Sequence, residues 1–203
     1  MNSKNDAPSL ARLPLSNNNV QTRAQTLVVF DLETTKLITE GNDPRSLQVS
    51  LLCAQKLDLV KTAQTGQPSV LEEMEVWCGN NEPLDAFFTW LDQATVIVAH
   101  NGLRFDMPVL RMYYAGEDNG LRYVKHCAKV FDTLHFLRKS NPQQGSLALG
   151  ALLLLNGDKK LGDGAQAPAM WQNEKLHADL LKYCWQDVKG LAKLVAKPAI
   201  NLA

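Results

Sequence analysis

The segment VVFDLETT, residues 28–35, decides how this sequence is interpreted. The apolar residues from Leu27 to Phe30 predict a buried strand, and this strand runs directly into Asp31 and Glu33. Side chains two positions apart on a strand project from the same face, so both carboxylates should lie side by side at the strand end. A carboxylate at the edge of a core is unfavourable unless a positive group faces it. The sequence must therefore supply or bind a cation here.

The composition is that of an ordinary globular domain, with 203 residues, 45% of them hydrophobic and 21% charged. The 21 basic residues balance the 21 acidic ones, so no basic surface indicates a nucleic-acid partner. Such a partner is not excluded, because a metal-loaded acidic site supplies local positive charge. The four cysteines form no C-x-x-C pair, which argues against a zinc knuckle and favours a reducing, intracellular and cytoplasmic compartment.

The domain organisation is expected to be simple. Residues 1–25 contain SNNNV, two prolines and no periodicity, which predicts a flexible leader, with organelle targeting as the alternative role. Residues 26–203 form the single folded domain. The longest apolar run, from Leu147 to Leu155, is too short to cross a bilayer, so no membrane partner is expected.

The predicted elements begin with strands and continue with alternating strands and helices. The strands fall at residues 26–33, 46–57, 72–79, 95–101 and 129–133, and the helices at 83–94, 107–116, around 146–157 and from about Asn173 to Ala196. This order predicts an α/β fold with a mixed sheet, three antiparallel strands and then parallel strands, flanked by helices.

Three groups of polar residues carry candidate chemistry. The pair Asp31 and Glu33 would repel unless a cation held it, and oxygen ligands suit Mg²⁺ or Mn²⁺, although two solvated acids are the alternative. Asp106 follows the strand VIVAHN, where a helix N-cap is the competing role. Tyr183 and Asp187 are neighbours at i and i+4 on the flank of the last helix, where a boundary tyrosine and a solvated aspartate are the alternatives.

Taken in this order, the three motifs resemble the DEDD superfamily of 3′–5′ exonucleases, the DnaQ-like branch of the ribonuclease H-like fold. The matching stretches are DLE at Asp31–Glu33, NGLRFD ending at Asp106, and YCWQD from Tyr183 to Asp187. The resemblance covers about Leu27 to Ala196. It is to the tyrosine branch, called DEDDy, because the position that would hold a histidine in the other branch is Lys182.

The resemblance implies hydrolysis of phosphodiester bonds at 3′ ends of single-stranded nucleic acid, DNA in preference, with release of nucleoside 5′-monophosphates. Two divalent cations, Mg²⁺ or Mn²⁺, would be held by four carboxylates: Asp31, Glu33, Asp106 and Asp187. Asp31 would bridge both ions. Tyr183 would orient the attacking water, since a phenol with a pKa near 10 is a poor base at neutral pH.

The resemblance also implies a set of substrate-binding residues: Leu32, Thr34, Thr35, Asn101 and Phe105. Lys36 departs from the family pattern, because glycine is frequent at its position. Two residues of the set have a structural alternative. Phe105 would pack as the hydrophobic staple at the start of a helix, and Leu32 would be an ordinary core leucine.

Other readings stay open at this point. An RNA 3′ exonuclease of the RNase D type has the same four acids and tyrosine, and a catalytically inactive nucleic-acid-binding module or a structural subunit would keep the fold alone. A proofreading role would require a polymerase or helicase partner chain. Asp132 is expected to cap the helix that follows it, and the Gly/Lys stretch at 157–164 to form a surface loop or to guide the strand.

Overall fold

The computed structural model describes residues 25–38, 43–78, 84–114, 118–140, 149 and 163–197, and every structural statement below concerns these residues. The predicted leader, nearly all of the predicted helix around 146–157 and most of the Gly/Lys stretch lie outside them.

A five-stranded mixed sheet with the order β3-β2-β1-β4-β5 forms the centre of the fold. Its strands are β1 Thr26–Thr34, β2 Val49–Asp58, β3 Val70–Trp77, β4 Val96–Ala99 and β5 Val130–Asp132. The first three strands pair antiparallel, whereas β4 pairs parallel to both β1 and β5. The predicted arrangement of the sheet is therefore confirmed.

Seven helices accompany the sheet in the described ranges: α1 Leu59–Thr65, α2 Asp85–Gln93, α3 Asp106–Leu110, α4 Asn119–Lys129, α5 Thr133–Ser140, α6 Ala167–Trp171 and α7 His177–Ala196. Short 3₁₀ turns occupy Pro44–Ser46, Arg111–Tyr113, Gly164–Gln166 and Glu174–Leu176. The last turn occupies the first residues that the sequence assigned to the final helix, so α7 starts four positions later than predicted.

The alternating residues of β1 separate two hydrophobic clusters, one on each face of the sheet. One face packs against α2 and α3, and there the Phe30 and Phe87 rings meet edge to face with centroids 5.2 Å apart. The other face packs against α7, whose buried stripe is Leu180, Cys184, Val188 and Leu191. Because β1 is central, groups at its end are covered from both sides.

The sequence patterns missed three helices, α1, α4 and the short α6. Helix α1 has no apolar stripe, and its boundaries come from caps: the Asp58 carboxylate accepts a hydrogen bond from Lys61 N–H at 2.9 Å, and Gly66 ends the helix in the left-handed conformation. In α4 the inward group is His126, a polar residue that hydrophobic periodicity does not detect.

None of the helices in the described ranges is long and apolar enough to cross a membrane.

Candidate active site

The end of β1 carries the first two candidate residues on one face. The three residues that alternate with them belong to the hydrophobic cluster on the face that α2 and α3 cover, called here the α2-side cluster: Val28, Phe30 and Leu32. Asp31 and Glu33 therefore face the side of the sheet that α7 covers, as the period-two pattern predicts. Asp31 is half-buried and Glu33 is 8% exposed.

Helix α7 brings Tyr183 and Asp187 to the same face of the sheet. Its apolar stripe packs on β1 and β2, and this packing fixes the rotation of the helix. Tyr183 is 7% exposed and Asp187 is 5% exposed. Both residues are thus more deeply buried than the flank position suggested by the spacing, so the alternative of a solvated aspartate is wrong.

Asp106 lies on α3, which packs on the opposite face of the sheet. It is the first residue of the helix and only 3% exposed, while Phe105 occupies the N-cap position and no side chain caps the helix. Two backbone N–H groups, its own and that of Leu32 in β1, lower the pKa of this carboxylate, so the carboxylate faces the end of β1. The capping alternative for Asp106 is therefore wrong, and its carboxylate lies against the end of β1.

The carboxylates are close enough to perturb one another. Burial raises the pKa of Asp31 well above its usual value, and the negative charges of Asp187, Glu33 and Asp106 raise it further. Burial also raises the pKa of Asp106 to about 7. Carboxylates from three distant segments of the chain thus form one electrostatically unfavourable cluster, and a cation would relieve the repulsion.

The donor set of this cluster fits a divalent metal. One ligand atom each from Asp31, Glu33 and Cys184 lies within 4.8 Å of the other two. Asp106 and Asp187 lie outside this group of three, but their charges act on Asp31. Carboxylate oxygens are the ligands that Mg²⁺ and Mn²⁺ prefer. The group therefore fits a divalent cation.

Cys184, in the buried stripe of α7, is a neighbour of Asp31 that the sequence motifs did not indicate. Its Sγ lies 3.6 Å from the backbone oxygen of Asp31 and 3.9 Å from Asp31 Oδ2. Burial raises the pKa of this thiol, and contact with Cys53 and the charge of Asp31 act in the same direction. The neutral thiol of Cys184 points towards Asp31 and helps to hold its carboxylate in place.

Tyr183 stands beside the carboxylates as a neutral phenol. Burial raises its pKa above the usual value of 10, and the charges of Asp187, Glu33 and Asp31 act in the same direction. Gly164 lies close by: a Cβ added at this glycine would come within 3.3 Å of Tyr183 Oη. A small residue at 164 leaves room for the phenol, and the sequence motifs give no indication of this contact.

The predicted substrate-binding residues lie at the end of β1 and in the turn after β4. At the end of β1, the Thr34 hydroxyl donates to the Lys36 carbonyl at 2.6 Å, and just beyond it the Thr35 N–H donates to Gln48 O at 2.9 Å. Leu32 is 4% exposed and packs in the α2-side cluster, so little of its side chain can contact a nucleotide.

The turn after β4 contains Asn101 and Phe105. Asn101 adopts the left-handed conformation with φ 62°, and its carbonyl accepts a hydrogen bond from the Phe105 N–H at 3.0 Å. The Phe105 ring is half-buried against the α2-side cluster. The structure thus brings the two residues to one loop, and their contact with substrate stays a prediction.

The expectation that Asp132 caps a helix is confirmed. Its Oδ1 accepts hydrogen bonds from the N–H groups of Leu134 and His135, at 3.0 and 3.1 Å, in the first turn of α5. The same carboxylate also bonds the loop after β4, a connection that the sequence did not predict.

Comparison with known proteins places this architecture in a family. The model of the RNase H superfamily matches residues 28–198. The chain belongs to the RNase H superfamily. A comparison with curated proteins finds no match.

Solved structures share the fold at low sequence identity. The family B DNA polymerase of Pyrobaculum calidifontis has a TM-score of 0.60 and 15% identity, over 84% of this chain and 24% of that one. An exonuclease I structure has a TM-score of 0.56 and 17% identity, over 85% of this chain and 40% of that one. E. coli exonuclease I in complex with a dT13 oligonucleotide gives a TM-score of 0.53 with the same identity and coverage. This RNase H superfamily chain thus spans between a quarter and two-fifths of the proteins it resembles, and the ribonuclease H-like fold is confirmed.

Proposed function

We propose that this chain is a metal-dependent 3′–5′ exonuclease that shortens single-stranded DNA from its 3′ end and releases nucleoside 5′-monophosphates. The observation that carries the proposal is the convergence of carboxylates from β1, α3 and α7 around Asp31, whose pKa is raised by its burial and by the three neighbouring charges. Carboxylates that converge at one partly buried point repel one another and are suited to holding cations. Membership of the RNase H superfamily supports the same conclusion.

The two cations would be held by Asp31, Glu33, Asp106 and Asp187. When bound, they supply the chemistry of two-metal nucleases, an attacking water of lowered pKa and a stabilised leaving oxygen. The charges of the other three carboxylates all act on Asp31. The resemblance to the DEDD exonucleases implies that Asp31 would contribute to holding both cations.

Tyr183 would act as a hydrogen-bond donor rather than as a base. A phenol whose pKa is raised stays protonated throughout the neutral range, and it cannot accept the proton of an attacking water. Its hydroxyl lies beside the carboxylates of Glu33, Asp31 and Asp187, where it can orient a water molecule. This role is the one that the tyrosine branch of the DEDD exonucleases implies.

Single-stranded DNA is the preferred substrate because the similar exonuclease I structure is a complex with a dT13 oligonucleotide. Asn101, Phe105, Thr34, Thr35 and the exposed edge of Leu32 would contact the terminal nucleotides. RNA is the second candidate, since the four carboxylates and Tyr183 do not discriminate between the two sugars. A partner chain carrying polymerase or helicase activity would complete a proofreading role.

The test uses single-stranded DNA and RNA of one sequence, labelled at either end, incubated with Mg²⁺, Mn²⁺ or EDTA. We expect a 5′ label to give a descending ladder and a 3′ label to give labelled mononucleotide at once, with no reaction in EDTA. Asp31→Asn should be inactive. The matched control is Asp58→Asn, which changes a helix-capping carboxylate far along the strand from the cluster. Cleavage by Asp31→Asn or in EDTA would refute the proposal, and binding of DNA without cleavage by the wild type would favour the inactive binding module.

A further inference from the structure

The carboxylate of Asp132 joins two segments that are distant in sequence. Besides capping α5 through Leu134 and His135, it accepts the N–H of Asn101 at Oδ1 and the N–H of Leu103 at Oδ2, both at 3.1 Å. These donors lie 31 and 29 residues earlier in the chain. An ordinary helix cap needs only the donors of α5, so the bonds to Asn101 and Leu103 require a separate explanation.

The loop that Asp132 holds has one tightly determined shape. Asn101 has φ 62°, in the left-handed region that asparagine adopts more readily than other non-glycine residues. A Cβ added at Gly102 would lie 2.4 Å from the Cβ of Ala99, so the backbone passes directly over the end of β4. The bonds to Asp132 hold the backbone along this path.

The shape of this loop sets the position of Asp106. The Asn101 carbonyl accepts the N–H of Phe105 at 3.0 Å, and the Gly102 carbonyl accepts the N–H of Met107 at 2.8 Å. These two bonds bracket Asp106, so the start of α3 is tied to the loop backbone on both sides. A shift of Asn101 or Gly102 would therefore move the Asp106 carboxylate.

Thr133 forms a second connection between the start of α5 and the end of β4. Its hydroxyl forms a hydrogen bond with His100 Nδ1 at 2.9 Å and lies 3.4 Å from the Ala99 carbonyl oxygen. Thr133 is 2% exposed and Asp132 is 7% exposed, so solvent cannot replace these bonds. The side chains of Asp132 and Thr133, at the junction of β5 and α5, thus both bond to the end of β4 and the loop that follows it.

We propose that Asp132 is a positioning residue, whose carboxylate holds the loop of residues 101–105 so that Asp106 reaches the metal-binding cluster. The inference rests on the metal-binding role of Asp106 in the proposed function. Asp132 itself contacts neither substrate nor metal in this scheme, and all its bonds are accepted from backbone N–H groups. Asp132 would orient a metal ligand without touching the metal. Loss of such an orienting group typically weakens metal affinity by about 10- to 100-fold.

Asp132→Asn is the sharpest variant because it separates the two roles of the side chain. Asparagine caps helices about as well as aspartate, and its remaining oxygen can keep the bonds to Leu134 and His135. Its NH₂ group, in place of Oδ2, faces the N–H of Leu103, where two donors cannot bond. The change therefore spares α5 and releases the loop. Asp58→Asn is the matched control, since Asp58 caps α1 and makes no bond to this loop.

The experiment measures Mn²⁺ affinity by titration of the purified proteins and amide hydrogen exchange in EDTA, and neither measurement depends on nuclease activity. We expect Mn²⁺ affinity to fall by about 10- to 100-fold in Asp132→Asn and to stay unchanged in Asp58→Asn. The Leu103 amide should exchange faster in Asp132→Asn, while Leu134 and His135 keep their protection. In an Asp106→Asn background, Asp132→Asn should cause no further loss of affinity.

The outcomes separate the two proposals. Wild-type protein that binds no Mn²⁺ would overturn the proposed function. Wild-type protein that binds Mn²⁺, with Asp132→Asn binding it equally well, would overturn the positioning role alone. If Asp132→Asn does not fold, Asp132→Glu replaces it, because the longer side chain keeps the charge but cannot meet all four N–H groups at once. Wild-type Mn²⁺ affinity in Asp132→Glu would then refute the inference.

Discussion

Replacing Asp106 by asparagine should make the metal-free protein more stable, although it removes a group proposed to be essential. The carboxyl of Asp106 is 3% exposed, and burial raises its pKa from 3.8 to about 7. At about 1.4 kcal/mol for each factor of ten in the acid constant, this rise corresponds to about 4 kcal/mol of folding free energy above pH 7. Asparagine carries no charge, so it escapes this penalty.

The expected gain is about 2 to 4 kcal/mol, because the neutral amide gives back part of the benefit by accepting a weaker hydrogen bond from Leu32 N–H. For a chain of this length, that gain raises Tm by roughly 4 to 16 °C. The assay is thermal unfolding followed by circular dichroism at pH 8 in EDTA. Because the folded pKa is the raised one, the penalty grows as pH rises from about 4 to 7, so the difference between Asp106→Asn and wild type should shrink at pH 5.

Added Mn²⁺ should reverse the order. The wild type gains about 2.7 kcal/mol when free metal is 100 times its Kd, whereas Asp106→Asn gains little. Asp58→Asn should follow the wild type in every condition, since asparagine caps helices about as well as aspartate. An Asp106→Asn variant that is less stable than the wild type in EDTA at pH 8, or that gains as much from Mn²⁺, would refute the assignment of Asp106 to a repulsive, metal-binding cluster.

Three further changes test other parts of the structure. Tyr183→Phe should lower kcat by about 100-fold, because the attacking water loses the hydrogen bond that positions it, while the Mn²⁺-dependent rise in Tm stays the same; wild-type kcat would exclude the orienting role. Gly164→Ala should lower kcat several-fold because the new Cβ meets Tyr183 Oη at 3.3 Å, whereas Gly120→Ala, with no atom within 4 Å of its Cβ, should leave kcat unchanged in the same assay. Phe87→Ala should lower the free energy of unfolding by about 3 to 5 kcal/mol in denaturant titrations, since the ring is fully buried against Phe30; a loss below about 1 kcal/mol would show that the α2-side core is not tightly packed.

Hydrophobic periodicity was sufficient to predict the sheet and the direction of its key residues. The alternation in β1 correctly placed Asp31 and Glu33 on one face, because the period of two is a property of the extended backbone itself. The spacing of the apolar stripe in α7 likewise placed Tyr183 and Asp187 on one side of that helix. The superfamily followed from the order of three short motifs, which no single motif would have justified.

Contacts between distant segments could not be predicted in the same way. The second role of Asp132 depends on where the loop after β4 passes, and the sequence around Asp132 contains only the signal of a helix cap. The proximity of Gly164 to Tyr183 and of Cys184 to Asp31 depends on packing that spacing does not encode. Helix α1 was missed because its start and end are set by Asp58 and Gly66 rather than by a buried face.

The position of α7 at the end of the described chain has a consequence for biosynthesis. A nascent polypeptide that extends only through α6 already contains β1 and α3, yet it lacks Tyr183 and Asp187 and leaves exposed the part of the sheet on which α7 packs. The docking of α7 both covers this part of the sheet and completes the acidic cluster. If the proposed function holds, a ribosome-bound or truncated product acquires hydrolytic capacity only when this apolar surface has been covered, so an incomplete copy of the domain should not cleave nucleic acid.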